Sequence, residues 1–316
     1  INVSCEACHG PGKQHVEDVK RLGADYKDTG TLHMTLKNSP KGLVDDCARC
    51  HLRREQFSSS FNFEGTLLDH FFPQIIVQDF YFPDGQILEE DYVYGSFVQS
   101  KMYRNNITCN NCHNSHSLKL KFDGNALCAQ CHIPATYDTP KHHFHKQDTE
   151  GALCINCHMP GRYYMGNDFR RDHSFRIPRP DQSMEFGTPN ACTGCHKDKT
   201  NKWATDYIKK WYGPKRPDHF SNALLLSATE NLSGDDRKKL DQFINDLNYP
   251  AIARATVIEN LEYTNEAQFG SLLTALNDSS AIVRYNALLK FRNLSLQDRL
   301  SIAVKHAVDP TKLVRI

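Results

Sequence analysis

Cys109-Asn110-Asn111-Cys112-His113 carries the pattern that decides this fold. Two cysteines separated by two residues and followed at once by a histidine occur six times between residues 5 and 196, and together they use all 12 cysteines of the chain. The cysteine pairs are Cys5/Cys8, Cys47/Cys50, Cys109/Cys112, Cys128/Cys131, Cys154/Cys157 and Cys192/Cys195.

This repeated motif is the attachment signature of c-type haem. Two thiols three residues apart reach both vinyl groups of one porphyrin across a single helical turn, and the adjacent histidine is aimed at the iron. Zinc sites and disulfides also consume cysteines in pairs, but neither requires a histidine after each second cysteine. We therefore predict six covalently bound haems whose proximal ligands are His9, His51, His113, His132, His158 and His196.

Ten further histidines are available as distal ligands, and six are needed if every iron has two histidine ligands. His116 lies three residues after His113, on the same face if the helix continues, so it is expected to serve a neighbouring haem and not its own. The same restriction applies to His15. We predict as distal ligands His15, His70, His116, His143, His145 and His173, with His33 and His142 in reserve.

The composition excludes other classes of protein. The 316 residues carry a formal charge of only +1, which gives no support to nucleic-acid binding, and no apolar run is long enough to span a membrane.

With one haem for about every 32 residues of the motif region, the porphyrins must supply much of the core. Short helices, loops and few strands are expected there, with a turn at Pro83-Asp84-Gly85. Trp203, Tyr207 and Trp211 define one face of a helix that follows the sixth motif.

The composition changes after about residue 221, where cysteine disappears and a helical repeat begins. Arg254, Arg284 and Arg315 recur at intervals of 30 and 31 residues in similar surroundings, which is typical of a helical solenoid. The predicted fold is mainly α: a hexahaem cytochrome domain over 1–212, a linker over 213–220 and a HEAT-like repeat domain over 221–316. We expect the array to continue beyond Ile316 and an export signal to precede the first motif.

Several of these stretches resemble bacterial multihaem c-type cytochromes that carry C-terminal TPR or HEAT-like repeats. The haem part is more distantly similar to tetrahaem nitrification cytochromes and octahaem reductases. The resemblance implies electron transfer, stacked haem pairs and distal histidines contributed by neighbouring motifs. It rests on residues 4–12, 109–117, 142–145, 157–160, 171–175 and 187–192.

The sequence therefore predicts an exported electron carrier, periplasmic or extracellular, and not an enzyme. Its expected partners are redox proteins and, through the repeats, other copies of itself. Two alternatives stay open. The chain could be a subunit of a conductive extracellular filament, which needs the same string of haems. It could also be a reductase of nitrogen or sulfur oxyanions, which needs one haem open to substrate.

Overall fold

The computed structural model describes residues 3–27, 32, 39–59, 61, 63–263 and 266–316. Helices dominate and strands are few and short, which confirms the mainly α prediction. The helices are α1 (Cys5–His9), α2 (Lys13–Leu22), α3 (Pro40–His51), α4 (Tyr94–Phe97), α5 (Lys101–Arg104), α6 (Cys109–Cys112), α7 (Ala126–Ala129), α8 (Pro134–Tyr137), α9 (Pro140–His143), α10 (Cys154–His158), α11 (Pro180–Phe186), α12 (Ala191–Cys195), α13 (Asn201–Tyr212), α14 (Phe220–Ser227), α15 (Gly234–Asn245), α16 (Ala251–Asn260), α17 (Glu266–Ala275), α18 (Ala281–Lys290), α19 (Leu296–His306) and α20 (Lys312–Arg315).

The strands form three small antiparallel pairs: β1 (Arg54–Gln56) with β2 (Phe71–Pro73), β3 (His113–Asn114) with β4 (Lys119–Leu120), and β5 (Gly161–Tyr164) with β6 (Asp168–Arg171). The predicted turn is confirmed: Tyr81 and Ile87 form an antiparallel bridge, and Gly85 has a φ of 87°, which favours glycine. Across the described ranges, no helix is long and apolar enough to cross a membrane.

The recurring arginines explain the period of the C-terminal repeat. Arg254 is buried and binds the carboxylate of Asp278 and the carbonyl of Ile244, while Arg284 binds Asp309 at 2.8 Å and the carbonyl of Asp278 at 2.8 Å. Arg254 thus ties α16 to the turn between α17 and α18, and Arg284 ties α18 to the turn between α19 and α20. Helix α16 packs on α18 and α18 on α20, as in a stacked array. The specific HEAT-like assignment stays a prediction.

One apolar core crosses the predicted domain boundary. The largest buried cluster joins Ile75, Ile76, Tyr81 and Val98 of the motif region to side chains from α14 to α18. The backbone N–H of Ile76 donates to the Thr256 hydroxyl at 3.0 Å inside this core. Residues 213–219 connect α13 to α14 without helical structure, as a linker would. The division of the chain there stays a prediction, and the shared core indicates that the two parts stabilise each other.

Candidate functional site

In five of the six motifs, both cysteines lie in the same helix, and local sequence signals begin these helices. Asn190 caps α12 by accepting from the backbone N–H of Thr193 at 3.1 Å, and Thr108 and Asn111 form a reciprocal cap at the start of α6. None of the 12 cysteines is joined to another in a disulfide. Within the part of the chain that the structure describes, no group of three or more His, Cys, Asp or Glu side chains could hold a metal ion.

The fourth cysteine pair departs from the expected single helix. Helix α7 ends at Ala129, and Cys131 lies in the turn that follows it. Pro134 prevents the helix from continuing further, because the residue before a proline is driven out of the helical conformation, and Ile133 is extended. The backbone N–H of Cys131 still donates to the carbonyl of Cys128 at 3.2 Å, which keeps both thiols on one turn of the chain.

Five of the 12 cysteines have exposed side chains. Cys50 is exposed, although it lies in the long helix α3, whose buried residues include Val44 and Ala48. It occupies the last turn, and no further turn of α3 follows His51 to cover its side chain. An exposed thiol is open to reaction, as attachment to a vinyl group requires. The exposed cysteines are Cys5, Cys8, Cys50, Cys131 and Cys195.

The six motifs lie next to one another in the order in which they occur along the chain. The Cys47 thiol is hydrogen-bonded to that of Cys109, which raises the pKa of Cys47 and lowers that of Cys109. Burial, together with the charges of the neighbouring cysteines, raises the pKa of Cys157 to about 11. Because such electrostatic effects need proximity, they show which motifs lie next to each other. The neighbouring cysteines of successive motifs are Cys8/Cys47, Cys47/Cys109, Cys112/Cys131, Cys128/Cys154 and Cys157/Cys192.

Four motif histidines each have a second histidine ring nearby with a similar ring plane. The distances between ring centres cover a narrow range, and the interplanar angles are all below 30°. The pairs are His9 with His116 (6.2 Å, 2°), His113 with His173 (6.5 Å, 22°), His158 with His142 (6.3 Å, 13°) and His196 with His145 (6.1 Å, 29°).

These distances fit two imidazoles on opposite sides of one metal atom. An imidazole nitrogen lies about 2.0–2.1 Å from a bound metal and about 1.1 Å from the centre of its own ring, so two such ligands have centres roughly 6.3 Å apart. Rings in direct stacking contact would have their planes only about 3.5–4.0 Å apart. The distances between the ring centres of the four pairs thus match the separation that two histidine ligands of one iron would have.

Backbone carbonyls fix the tautomer of three of these histidines. Nδ1 of His158 donates to the carbonyl of Arg176 at 2.7 Å, and Nδ1 of His173 donates to the carbonyl of Arg171 at 2.9 Å. Nδ1 of His145 is bonded in the same way, to the carbonyl of His143. A carbonyl can only accept, so the proton resides on Nδ1 and Nε2 keeps the lone pair that binds a metal. Burial also lowers the pKa values of His158 and His173, which favours the neutral ring.

Arg171 connects two of the paired sites. Its carbonyl accepts from His173, while its guanidinium donates to the carbonyls of Ile155 and Met159 at 3.2 and 3.1 Å and to Asn156 Oδ1 at 3.0 Å. The chain that presents His173 to the third motif is therefore anchored on α10, which carries the fifth motif. The orientation of His173 depends on this anchor.

The structure does not bring His15, His70 or His143 beside a proximal ring within the described ranges. Nε2 of His70 donates to the carbonyl of Glu64 at 2.7 Å, and Nδ1 of His143 accepts from the backbone N–H of His145, which leaves the proton of His143 on Nε2. These two rings thus present a protonated Nε2, whereas His15 uses Nδ1 toward the Tyr26 hydroxyl and keeps Nε2 free. The reserve ligand His33 lies outside the described residues.

His142, which the sequence analysis kept in reserve behind His143 and His145, lies beside a motif histidine. It ends the short helix α9, and its ring lies 6.3 Å from that of His158. The sequence assigned none of the three histidines His142, His143 and His145 to a particular motif. A chain reversal at Phe144 separates their directions, and phenylalanine gives no sequence signal for the left-handed conformation that it adopts there.

Two proximal histidines have no such pair in the described part of the chain. His51 acts electrostatically on both His113 and His173, so the second site adjoins the third. His132 has the ring of Tyr137 edge-on at 5.7 Å with an interplanar angle of 88°. The second and fourth sites therefore differ from the other four in what the structure places beside the proximal ligand.

No protein-family model and no curated protein matches the chain. Among solved structures, the chain is similar to the crystal structure of the outer cell wall cytochrome OcwA, with 15% sequence identity and a TM-score of 0.48. The likeness covers 92% of this chain and 70% of that one.

Proposed function

We propose that this chain is an exported multihaem c-type cytochrome that relays electrons through six haems. The observation that carries the proposal is the arrangement of the six motifs as successive neighbours, four of them with a second histidine at the separation that two axial ligands of one iron require. When bound, each haem supplies an iron that is oxidised and reduced by one electron.

The side chains of this protein would divide the work of holding and tuning that group. The 12 cysteines attach the haems covalently, so the distances between haems are set by the packing of their motifs. The proximal histidines are those of the motifs, and the distal ligands of the first, third, fifth and sixth sites are His116, His173, His142 and His145. Histidine on both sides favours lower potentials than a histidine–methionine pair, because methionine raises the potential. His15, His70 and His143 remain candidates for the second and fourth sites.

Attachment of c-type haem takes place outside the cytoplasm, so the protein belongs in the periplasm or beyond the cell surface, with redox proteins as its partners. A reductive titration of the purified protein tests the relay. We expect six one-electron equivalents per chain, followed by complete reoxidation by an oxidised soluble cytochrome. Uptake of fewer equivalents, or reduced haems that no partner protein reoxidises, would contradict the proposal.

A reductase of small oxyanions is the second candidate, and the fourth site is the observation that favours it. In the described part of the chain the ring beside His132 is the phenol of Tyr137 and not a second histidine, and a haem that binds substrate would need an iron without a second histidine ligand. A high-spin ferric signal that nitrite converts to low spin, and that Tyr137→His abolishes, would support this function. A filament would need the same order of sites, and electron microscopy of the native material distinguishes it from a single-chain relay.

A further inference from the structure

Helix α13 carries a row of aromatic rings past the sixth motif. It begins at Asn201, where the Thr200 hydroxyl accepts from the backbone N–H of Trp203 at 3.2 Å. The ring of Trp203 lies 5.0 Å from that of His196 and 4.8 Å from that of Tyr207, and Tyr207 continues to Trp211 at 5.4 Å. The three residues on one helical face thus lead from a proximal histidine to the end of the helix.

The end of this helix contacts the segment that supplies two distal histidines. The ring of Trp211 is parallel to that of Phe144, with centres 4.5 Å apart and an interplanar angle of 1°. The Tyr212 hydroxyl donates to the carbonyl of His142, and its ring meets the Phe144 ring edge-on at 5.7 Å. Trp211 also lies 6.4 Å from the ring of His145, so both histidines of the segment have a contact with α13.

Phe144 is the turning point between these two histidines. Its φ of 56° and ψ of 26° place it in the left-handed region, which is unfavourable for a residue with a bulky side chain. Such a conformation persists only where the surrounding structure holds it. Here it sends His142 toward His158 of the fifth motif and His145 toward His196 of the sixth. The packing of Trp211 and Tyr212 on Phe144 supplies the contacts that can hold it.

We propose that Trp211 and Tyr212 are positioning residues that fix the distal ligands of the fifth and sixth haems together, through the strained turn at Phe144. The inference rests on the proposed function, because it concerns ligands of haems that the motifs imply. It goes beyond that function in coupling two sites: one ring on α13 controls the ligand geometry of both. Loss of that ring should therefore change two haems and leave four as they were.

Electron paramagnetic resonance of the oxidised protein, with haem content measured in parallel, tests this coupling. For Trp211→Ala we expect six attached haems and altered low-spin signals from two of them, while Trp211→Phe restores the wild-type spectrum. Phe144→Gly removes the ring but suits the left-handed backbone, so it separates stacking from backbone strain and should change the same two haems. Tyr212→Phe deletes only the hydroxyl and should alter the fifth haem alone.

A matched control is Tyr163→Ala in strand β5, where an aromatic ring that is 67% exposed packs on Phe169. It should leave all six signals unchanged. Trp211→Ala that alters no haem, alters only one, or alters as many as the control does would overturn the coupling. A wild-type protein with fewer than six attached haems would instead refute the proposed function, so the two failures are distinguishable.

Discussion

Gly151 leaves space for the His145 ring, and filling that space should disable one site. A Cβ built at Gly151 would lie 2.7 Å from Cγ and 3.1 Å from Cβ of His145. Both atoms lie at the base of that side chain, so rotation of the ring cannot remove the overlap. Gly151→Ala must therefore shift His145 or its backbone, and forced overpacking of this kind typically costs about 1–3 kcal/mol. His145 is the proposed distal ligand of the sixth haem.

We expect Gly151→Ala to retain six haems, to lose the low-spin signal of one of them, and to unfold at a lower denaturant concentration. Magnetic circular dichroism measures the loss of the low-spin signal, and guanidinium titration measures the loss of stability. Gly234→Ala is the matched control, because nothing lies within 4 Å of the added Cβ at the start of α15. An alanine there should be neutral or stabilise by about 0.4–1 kcal/mol. Six unchanged low-spin signals in Gly151→Ala would refute the assignment of His145.

Three further predictions concern other parts of the molecule. His173→Ala should convert one low-spin haem to high spin without loss of haem, as measured by optical spectroscopy; an unchanged spectrum would remove this residue from the ligands. Asp278→Ala leaves the buried Arg254 without its carboxylate and should cost about 3–5 kcal/mol in a denaturant titration, where a loss below about 1 kcal/mol would contradict the role of the pair. Burial raises the pKa of Asp91 to about 7, so its folded form binds a proton that the unfolded form loses near pH 4. Stability should therefore fall as pH rises from about 4 to 7, and Asp91→Asn should flatten that slope in thermal unfolding; an unchanged slope would assign it to other groups.

The local structure of the cysteine motifs could be predicted from the sequence because the motifs are short. Two thiols and a histidine within five residues need only one helical turn, and cap residues such as Thr108 and Asn190 begin that turn. Pro134 is an equally local signal, and the chain is extended at Ile133 directly before it. The mainly α class and the turn around Gly85 followed from equally local signals.

The pairing of histidine rings could not be predicted because it depends on contacts between distant segments. The ring of His142 reaches His158 only because the chain reverses at Phe144, and that reversal is packed against Trp211, 67 residues later in the chain. The exposure of Cys50 likewise depends on which segments pack around the end of α3, which its motif does not reveal.

Protonation and the shared core also depend on distant contacts. The protonation that separates His173 from His70 is set by backbone carbonyls, which no residue pattern reveals. The apolar core shared by the motif region and the repeat region depends on contacts between distant residues, such as the hydrogen bond from the backbone of Ile76 to Thr256. The expectation that His116 shares the face of His113 assumed a continuing helix, but α6 ends at Cys112 and His113 begins a strand. The ring of His116 lies beside that of His9.

The central claim is that all six motifs carry covalent haem, and the intact mass of the exported protein tests it most directly. We expect the mass of the polypeptide plus six haems, with no thiol available to an alkylating reagent after denaturation, because all 12 cysteines are consumed. A mass corresponding to fewer haems, or cysteines that alkylate in the denatured mature protein, would contradict the account.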